Sequence, residues 1–166
     1  MSDDNAIRQH TLSVIQSYLA LLSQGRWNEW GELWSEDSVL EFPYAPGGAV
    51  NRYVGRNDIV AYMSGTADYI KVNSVSSVRV HPMLDPHAAV VELQIEGSIT
   101  ASAKPYNQRY VTFFQLKDGK IQHYREYWSP LITMEAMGGY DAYIARLTLG
   151  QGRRLTVCFG VATNVG

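Results

Sequence analysis

Helices at the start of the chain, followed by a long run of alternating strands, predict an α+β fold made of one sheet and the helices that cover it. Up to Met63 the apolar residues recur mainly every three or four positions, and from about Lys71 onwards they recur mainly every second position. Between two of the alternating runs lies Asp118-Gly119, a preferred two-residue turn, which marks a hairpin.

Each element follows from its own pattern. Ile7, Val14, Ile15, Tyr18, Leu19 and Leu22 predict an amphipathic helix over Ala6 to Gln24, with Gly25 placed to end it. Trp27, Trp30, Leu33 and Trp34 predict a second helix over Asn28 to Trp34, after which Ser35-Glu36-Asp37 turns the chain into a strand from Ser38 to Phe42. The Pro-, Gly- and Tyr-rich segment that follows, which includes Tyr44, reads as a structured loop bordering any cavity. Asn57 can cap a third helix through Ile59, Val60, Tyr62 and Met63. Strands are predicted over Lys71 to His81, Ala88 to Ala103, Asn107 to Gln115 and Lys120 to Trp128. Helical spacing then returns from Ile132 to Ala145, with Gly138-Gly139 as an interruption. Leu155, Val157, Phe159 and Val161 alternate like a strand without a visible partner. We read one domain over residues 1–150 and a C-terminal extension over 151–166.

Fourteen Lys and Arg against sixteen Asp and Glu give a net charge of -2, with no basic block to follow a phosphate backbone. Nucleic acid is not expected as a partner. A polar, acidic start and the lack of any long apolar run argue against a leader or a membrane span and for a cytoplasmic protein. The single cysteine, Cys158, has no partner for an internal disulfide, and four scattered histidines show no metal-ligand spacing. Neither a glycine-rich phosphate loop nor a nucleophile elbow is evident, so no cofactor and no metal are expected.

The hairpin carries the functional signal. A symmetric register about Asp118-Gly119 pairs Arg109 with Trp128, Val111 with Glu126 and Phe113 with Tyr124, all on one face. Tyr110, Thr112, Phe114, His123, Arg125 and Tyr127 fall on the other. Glu126 thus lies on a largely apolar and aromatic face. Such a carboxylate must be hydrogen-bonded, paired or neutral, because an unpaired buried charge is too costly. Desolvation favours its neutral form and moves its pKa towards neutrality, where it can exchange protons. An ion pair with Arg109 would have the opposite effect and make both residues structural.

In order and spacing, YLALLSQGRWNEWGELWSEDSVLEFP, GRNDIVAYM and KDGKIQHYREYWSP resemble the nuclear transport factor two superfamily in its SnoaL-like, ketosteroid-isomerase-like branch. The resemblance covers roughly Asn5 to Gly138. It implies a cone formed by a strongly curved, mostly antiparallel sheet wrapped around three N-terminal helices, a pocket at the wide end, and a homodimer through the outer sheet face. Arg125-Glu126-Tyr127 is similar to a phrase of the phenazine-biosynthesis A/B proteins, which implies an acid/base role for Glu126, whereas Tyr62 stands where they keep a pocket histidine. A phenol can donate a hydrogen bond but is a poor base near neutral pH. Tyr18 falls on the oxyanion-binding tyrosine of ketosteroid isomerases, but Phe42 and Val111 replace their two aspartates, and Val111 also replaces the acid of SnoaL-type cyclases. Those mechanisms therefore do not carry over.

Glu126, Tyr18 and Tyr62 are the candidate catalytic residues. Arg109, Trp30, Trp34, Phe42, Tyr44, Val111, Phe113, Tyr124 and Trp128 are candidates for substrate contact, although rings such as Trp30, Trp34, Phe42, Phe113 and Trp128 are more often core than ligand platform. Strand alternation sends Glu41 away from Phe42 to a surface or interface. Glu92 and Glu96 share a face whose direction stays open, and His81 could meet Glu126 only if the sheet curves enough. The resulting expectation is a cofactor-independent isomerase, cyclase, dehydratase or lyase acting on a hydrophobic, aromatic or polycyclic small molecule. A non-catalytic ligand carrier and a protein-interaction module are the alternatives.

Overall fold

The alternating segments become β1 (Trp34–Glu41), β2 (Arg52–Val54), β3 (Ile70–Pro82), β4 (Ala88–Ile99), β5 (Pro105–Lys117) and β6 (Lys120–Trp128) in a computed structural model that describes residues 3–150. They hydrogen-bond in the order β2-β1-β6-β5-β4-β3. Only β1 and β6 run parallel; every other neighbouring pair is antiparallel. With β2 and β3 at its edges the sheet does not close on itself, giving an α+β fold in place of a complete barrel.

Three helices precede or interrupt the first strands: α1 (Asp3–Gln24), α2 (Trp27–Glu32) and α3 (Arg56–Thr66). They bury Val14, Ile15, Tyr18, Trp30 and Ile59 against Leu40, Phe42, Ala89, Val91, Leu93, Phe114, Leu116, Ile121 and Tyr124 of the sheet. At about 25 cal/mol per Å2, burial of such rings and branched chains is the main force holding the helices to the sheet. Gly25 ends α1 at a φ of +66°, as its position predicts. At the start of α1, the Thr11 hydroxyl donates to Pro86 O at 2.9 Å and His10 lies against Gly119 O at 3.3 Å. These contacts bring the β3–β4 and β5–β6 turns to the same end of the molecule.

Some boundaries differ from expectation for local reasons. The second helix stops at Glu32, and Trp34 starts β1, because Leu33 O accepts from Ile121 N at 2.8 Å and Trp34 enters register with Ile121. Asn57 does not cap α3. Gly55 holds that position at a φ of +95°, and its N–H donates to Ser38 O at 2.8 Å. The short strand β2 was expected as loop; it exists by pairing with β1, and Phe42 N also donates to Asn51 O at 2.8 Å.

The predicted last helix divides into α4 (Pro130–Met137) and α5 (Tyr140–Gly150), separated by Gly138 and Gly139 at φ +96° and +110°. Gln108 fixes α4 to the sheet. Its amide donates to Ser129 O at 2.9 Å and accepts from Ser129 N at 3.1 Å. Tyr140 Oη donates to Gly47 O at 2.5 Å, joining α5 to the loop after β1. The strand expected over Leu155 to Val161, and Cys158 within it, lie outside the described residues.

Candidate active site

The site depends on an irregularity in the β5–β6 hairpin. Asp118 and Gly119 both have positive φ, 51° and 77°, and form the expected two-residue turn. Lys117 then opposes Lys120 and Leu116 opposes Ile121, but the next pair is Gln115 with His123. Gln122 is left over as a bulge. Because side chains alternate with period two, that one extra residue changes which residues of β5 share a face with β6. Thr112 opposes Glu126, Phe114 opposes Tyr124 and Tyr110 opposes Trp128.

Glu126, Tyr124 and Trp128 therefore face the helices, as expected, while Arg109, Val111 and Phe113 do not. These three lie on the outer face with Arg125 and Tyr127. Arg125 sits 5.2 Å above the Phe113 ring, and Phe113 meets the Tyr127 ring edge-on at 5.7 Å. Arg109 cannot neutralise Glu126 across the sheet. With the Gln94 amide turned to match its neighbours, Arg109 Nε and Nη2 donate to its oxygen at 2.7 and 3.2 Å. Tyr44 is also outside, 64% exposed and edge-on to Tyr127. Val111 was the position compared with acids of the isomerases and cyclases; the inward residues beside it are Tyr110 and Thr112, neither acidic.

Glu126 occupies a ring of phenols. Tyr124 Oη donates to Glu126 Oε2 at 2.5 Å, and among the described residues Oε1 has no hydrogen bond. Part of Glu126 stays accessible, but the packed side chains around it strip away enough water to raise its pKa from 4.5 to about 7, against the opposing effect of the Tyr124 hydrogen bond. The carboxylate in turn helps to hold five tyrosines in their neutral form. Burial raises the pKa of Tyr18, Tyr62, Tyr106, Tyr110 and Tyr124, and the negative charge of Glu126 adds to the rise in each. They can donate hydrogen bonds but cannot serve as bases near neutral pH.

The remaining candidates divide between wall and core. Phe42 extends β1 beside Glu126, one residue beyond the Glu41–Arg125 pair, and its ring meets Tyr62 at 5.4 Å and Trp128 at 6.4 Å. Tyr62 stacks on Tyr53 at 4.3 Å. Tyr53, Tyr62, Tyr110 and Trp128 pack on the core while keeping part of their surface accessible. Trp30 and Trp34 are fully buried, and Tyr18 is 2% exposed. Tyr18 contacts Trp30, Trp34, Phe114 and Tyr124 ring to ring, and its buried hydroxyl interacts with that of Tyr124. These three form the floor beneath Tyr124, without direct access to a bound molecule.

The other acids face outwards. Glu41 accepts from Arg52 at 3.2 Å and meets His123 at 2.8 Å, contacts that lower its pKa in spite of partial desolvation. Glu92 pairs with His81 at 3.0 Å, so His81 forms no dyad with Glu126. Glu96 accepts from Ser74 at 3.2 Å. Two surface hollows lie elsewhere. One of about 260 Å3 is bounded by Gly25 to Glu29; the other, about 410 Å3, lies beside the hairpin tip between Arg56, Lys117, Lys120 and the acids Glu36, Asp37 and Asp118. Neither includes Glu126 in its wall. Among the described residues no three His, Cys, Asp or Glu side chains converge as a metal site requires.

Residues 15–124 match the profile of the SnoaL-like domain. The chain belongs to this family. A SnoaL-like relative from Pseudomonas aeruginosa, a PhzA/B-like protein, is 36% identical over 129 residues, which span 78% of this chain and 91% of that one. Among solved structures, a Bacillus subtilis protein named as a candidate isomerase superposes with a TM-score of 0.76 at 31% identity, covering 84% of this chain and 98% of its own. A nuclear transport factor two-like protein of Burkholderia xenovorans LB400 shares the fold at a TM-score of 0.66 and 13% identity, covering 77% of this chain and 95% of its own. The SnoaL-like match contains Tyr18, Phe42, Tyr62, Tyr110 and Thr112 and ends at Tyr124, two residues short of Glu126.

Sequence reasoning assigned Tyr110, Thr112 and Phe114 to the wrong face of this SnoaL-like sheet and left Tyr106 outside the strand. Tyr106 and Tyr110 join hydroxyls at 2.8 Å, and Thr112 Oγ1 donates to Val91 O at 3.3 Å. A signal for the bulge was available. Ile121 and Tyr124 are both core-type residues, yet three positions apart they cannot share a face of an unbroken strand.

Proposed function

We propose that this chain is a cofactor-independent acid/base enzyme, of isomerase, cyclase, dehydratase or lyase type, acting on a hydrophobic and aromatic or polycyclic small molecule. The observation that carries the reading is the Glu126 carboxyl. It has a pKa near 7, one oxygen held by Tyr124, the other without a protein partner, and no cation beside it among the described residues. A group half-ionised near neutral pH can both remove and return a proton. Tyr124 fixes its rotamer, so Oε1 is the atom for the reacting C–H or leaving group. Tyr62, neutral and partly accessible, can donate to an oxygen on which negative charge develops, whereas the Tyr110 hydroxyl is bonded to Tyr106. The candidate isomerase among the structural relatives accords with this chemistry. The outer patch of Val111, Phe113 and Tyr127 is a suitable contact for a second copy, and the charge balance and single cysteine suit a cytoplasmic setting.

The test is a panel of aromatic and polycyclic ketones, screened for binding and then for turnover, with wild type and Glu126→Gln side by side. The amide keeps the shape and the Tyr124 contact but cannot accept a proton. Binding retained with turnover reduced at least about a hundredfold is expected for loss of a general acid/base. Equal turnover by the variant removes Glu126 from the chemistry, and binding without turnover by either protein favours a ligand carrier.

A further inference from the structure

The interior is unusual in the signs of its charges. Phe42, Tyr53, Tyr62, Tyr110, Tyr124 and Trp128 supply aromatic surface around Glu126, and Glu126 is the one formally charged residue on the helix-facing side of β6. The nearest sheet cations, Arg109 and Arg125, point to the opposite face and are engaged there by Gln94 and Phe113. Arg52 is paired with Glu41, and Arg56 with Glu32 and Glu36. Among the described residues, no interior cation is available to pair with a carboxylate or phosphate of a ligand.

From the reading of this interior as a small-molecule site, we propose that it selects molecules bearing a cationic nitrogen, a protonated or quaternary amine, held between the Glu126 carboxylate and the partly accessible rings of Tyr62, Tyr110 and Trp128. Two physical effects act together. The faces of aromatic rings carry negative potential and attract ammonium groups, most strongly where water is excluded. A carboxylate that has lost hydration without gaining a cationic partner is stabilised by any positive charge brought within contact. An anionic ligand meets the reverse of both terms. Tyr124 is committed to Glu126, and Tyr106 and Tyr110 to each other, so of the phenols named only Tyr62 is left to donate, and one neutral hydroxyl does not outweigh the carboxylate.

Three benzyl compounds separate charge from hydrophobicity: benzyltrimethylammonium, its isosteric uncharged carbon analogue neopentylbenzene, and the smaller anion phenylacetate. Binding is followed at pH 8 by quenching of tryptophan fluorescence and by calorimetry. The cation is expected to bind at least about tenfold more tightly than the neutral analogue, with phenylacetate weaker than both. Glu126→Gln should remove most of that preference and leave neopentylbenzene affinity unchanged. Trp128→Leu should reduce it through loss of a ring while the carboxylate stays in place. Equal affinity for cation and neutral analogue, or preference for phenylacetate, overturns the charge selectivity and leaves the small-molecule site standing. Failure of all three probes to bind overturns both.

Discussion

Replacing Glu126 by Gln should stabilise the protein at alkaline pH, and by an amount that grows with pH. The folded carboxyl has a pKa of about 7 against 4.5 for the unperturbed group. Below about 4.5 it is protonated in both folded and unfolded chains, and wild type and variant differ only by the exchange of an acid for an amide. As pH rises past 4.5 the unfolded chain ionises freely while the folded one resists, so wild type loses stability until the folded group has also ionised above about 7. The loss corresponds to about 3 kcal/mol at about 1.4 kcal/mol for each tenfold change in proton affinity, an upper bound because Glu126 is partly accessible. The Gln side chain can still accept from Tyr124 and carries no charge to desolvate. Urea unfolding of both proteins from pH 4 to 8.5 should show the stability difference moving in favour of the variant between pH 4.5 and about 7.5, then levelling. A flat difference, or wild type gaining as pH rises, would refute the desolvation argument and indicate a cationic neighbour for Glu126.

Other substitutions test neighbouring parts of the account. Tyr124→Phe removes the one hydrogen bond that lowers the Glu126 pKa, so the midpoint should rise by about one pKa unit, read from the pH dependence of stability or turnover; an unchanged midpoint would dissociate the two residues. Tyr18→Phe deletes a buried hydroxyl that interacts with Tyr124 and should cost no more than about 1 kcal/mol in urea unfolding, whereas a larger loss would show that this hydroxyl holds Tyr124 in place. Gln108→Ala leaves the Ser129 backbone groups unpaired and should cost about 2 to 3 kcal/mol in urea unfolding, with faster hydrogen exchange in α4. Gly119→Ala places a Cβ 2.8 Å from His10 Nε2 at a φ of +77° and should cost about 1 to 2 kcal/mol; full stability would argue against this packing of α1 on the turn.

Local periodicity made the long elements legible. The helical repeat of Val14, Ile15 and Tyr18, the alternation along the strands and the Asp118-Gly119 turn each describe a short-range preference that the final packing also satisfies. Discrepancies occur where a distant partner decides the outcome. Trp34 joins a strand because β6 offers Ile121, and Arg52–Val54 become a strand only by lying beside β1. The Gln122 bulge is the consequential case. Symmetric counting from a correctly identified turn placed Glu126, Tyr124 and Trp128 on the right face and gave them the wrong cross-strand neighbours. Tyr110 replaced Arg109 opposite Trp128 and Thr112 replaced Val111 opposite Glu126, and the suggested ion pair was lost with that exchange. The candidate acid and the face it lies on were therefore visible in the chain, whereas its surroundings depended on one unpaired residue in a ladder.

The account rests on a carboxyl that titrates near neutrality because it is desolvated. Carbon-13 NMR of protein labelled at the glutamate side-chain carboxyl, titrated from pH 4 to 9 for wild type and Glu126→Gln, observes that group directly. One resonance with a midpoint near 7, absent from the variant, is predicted. A Glu126 resonance that titrates in the ordinary range around 4.5 would contradict the account.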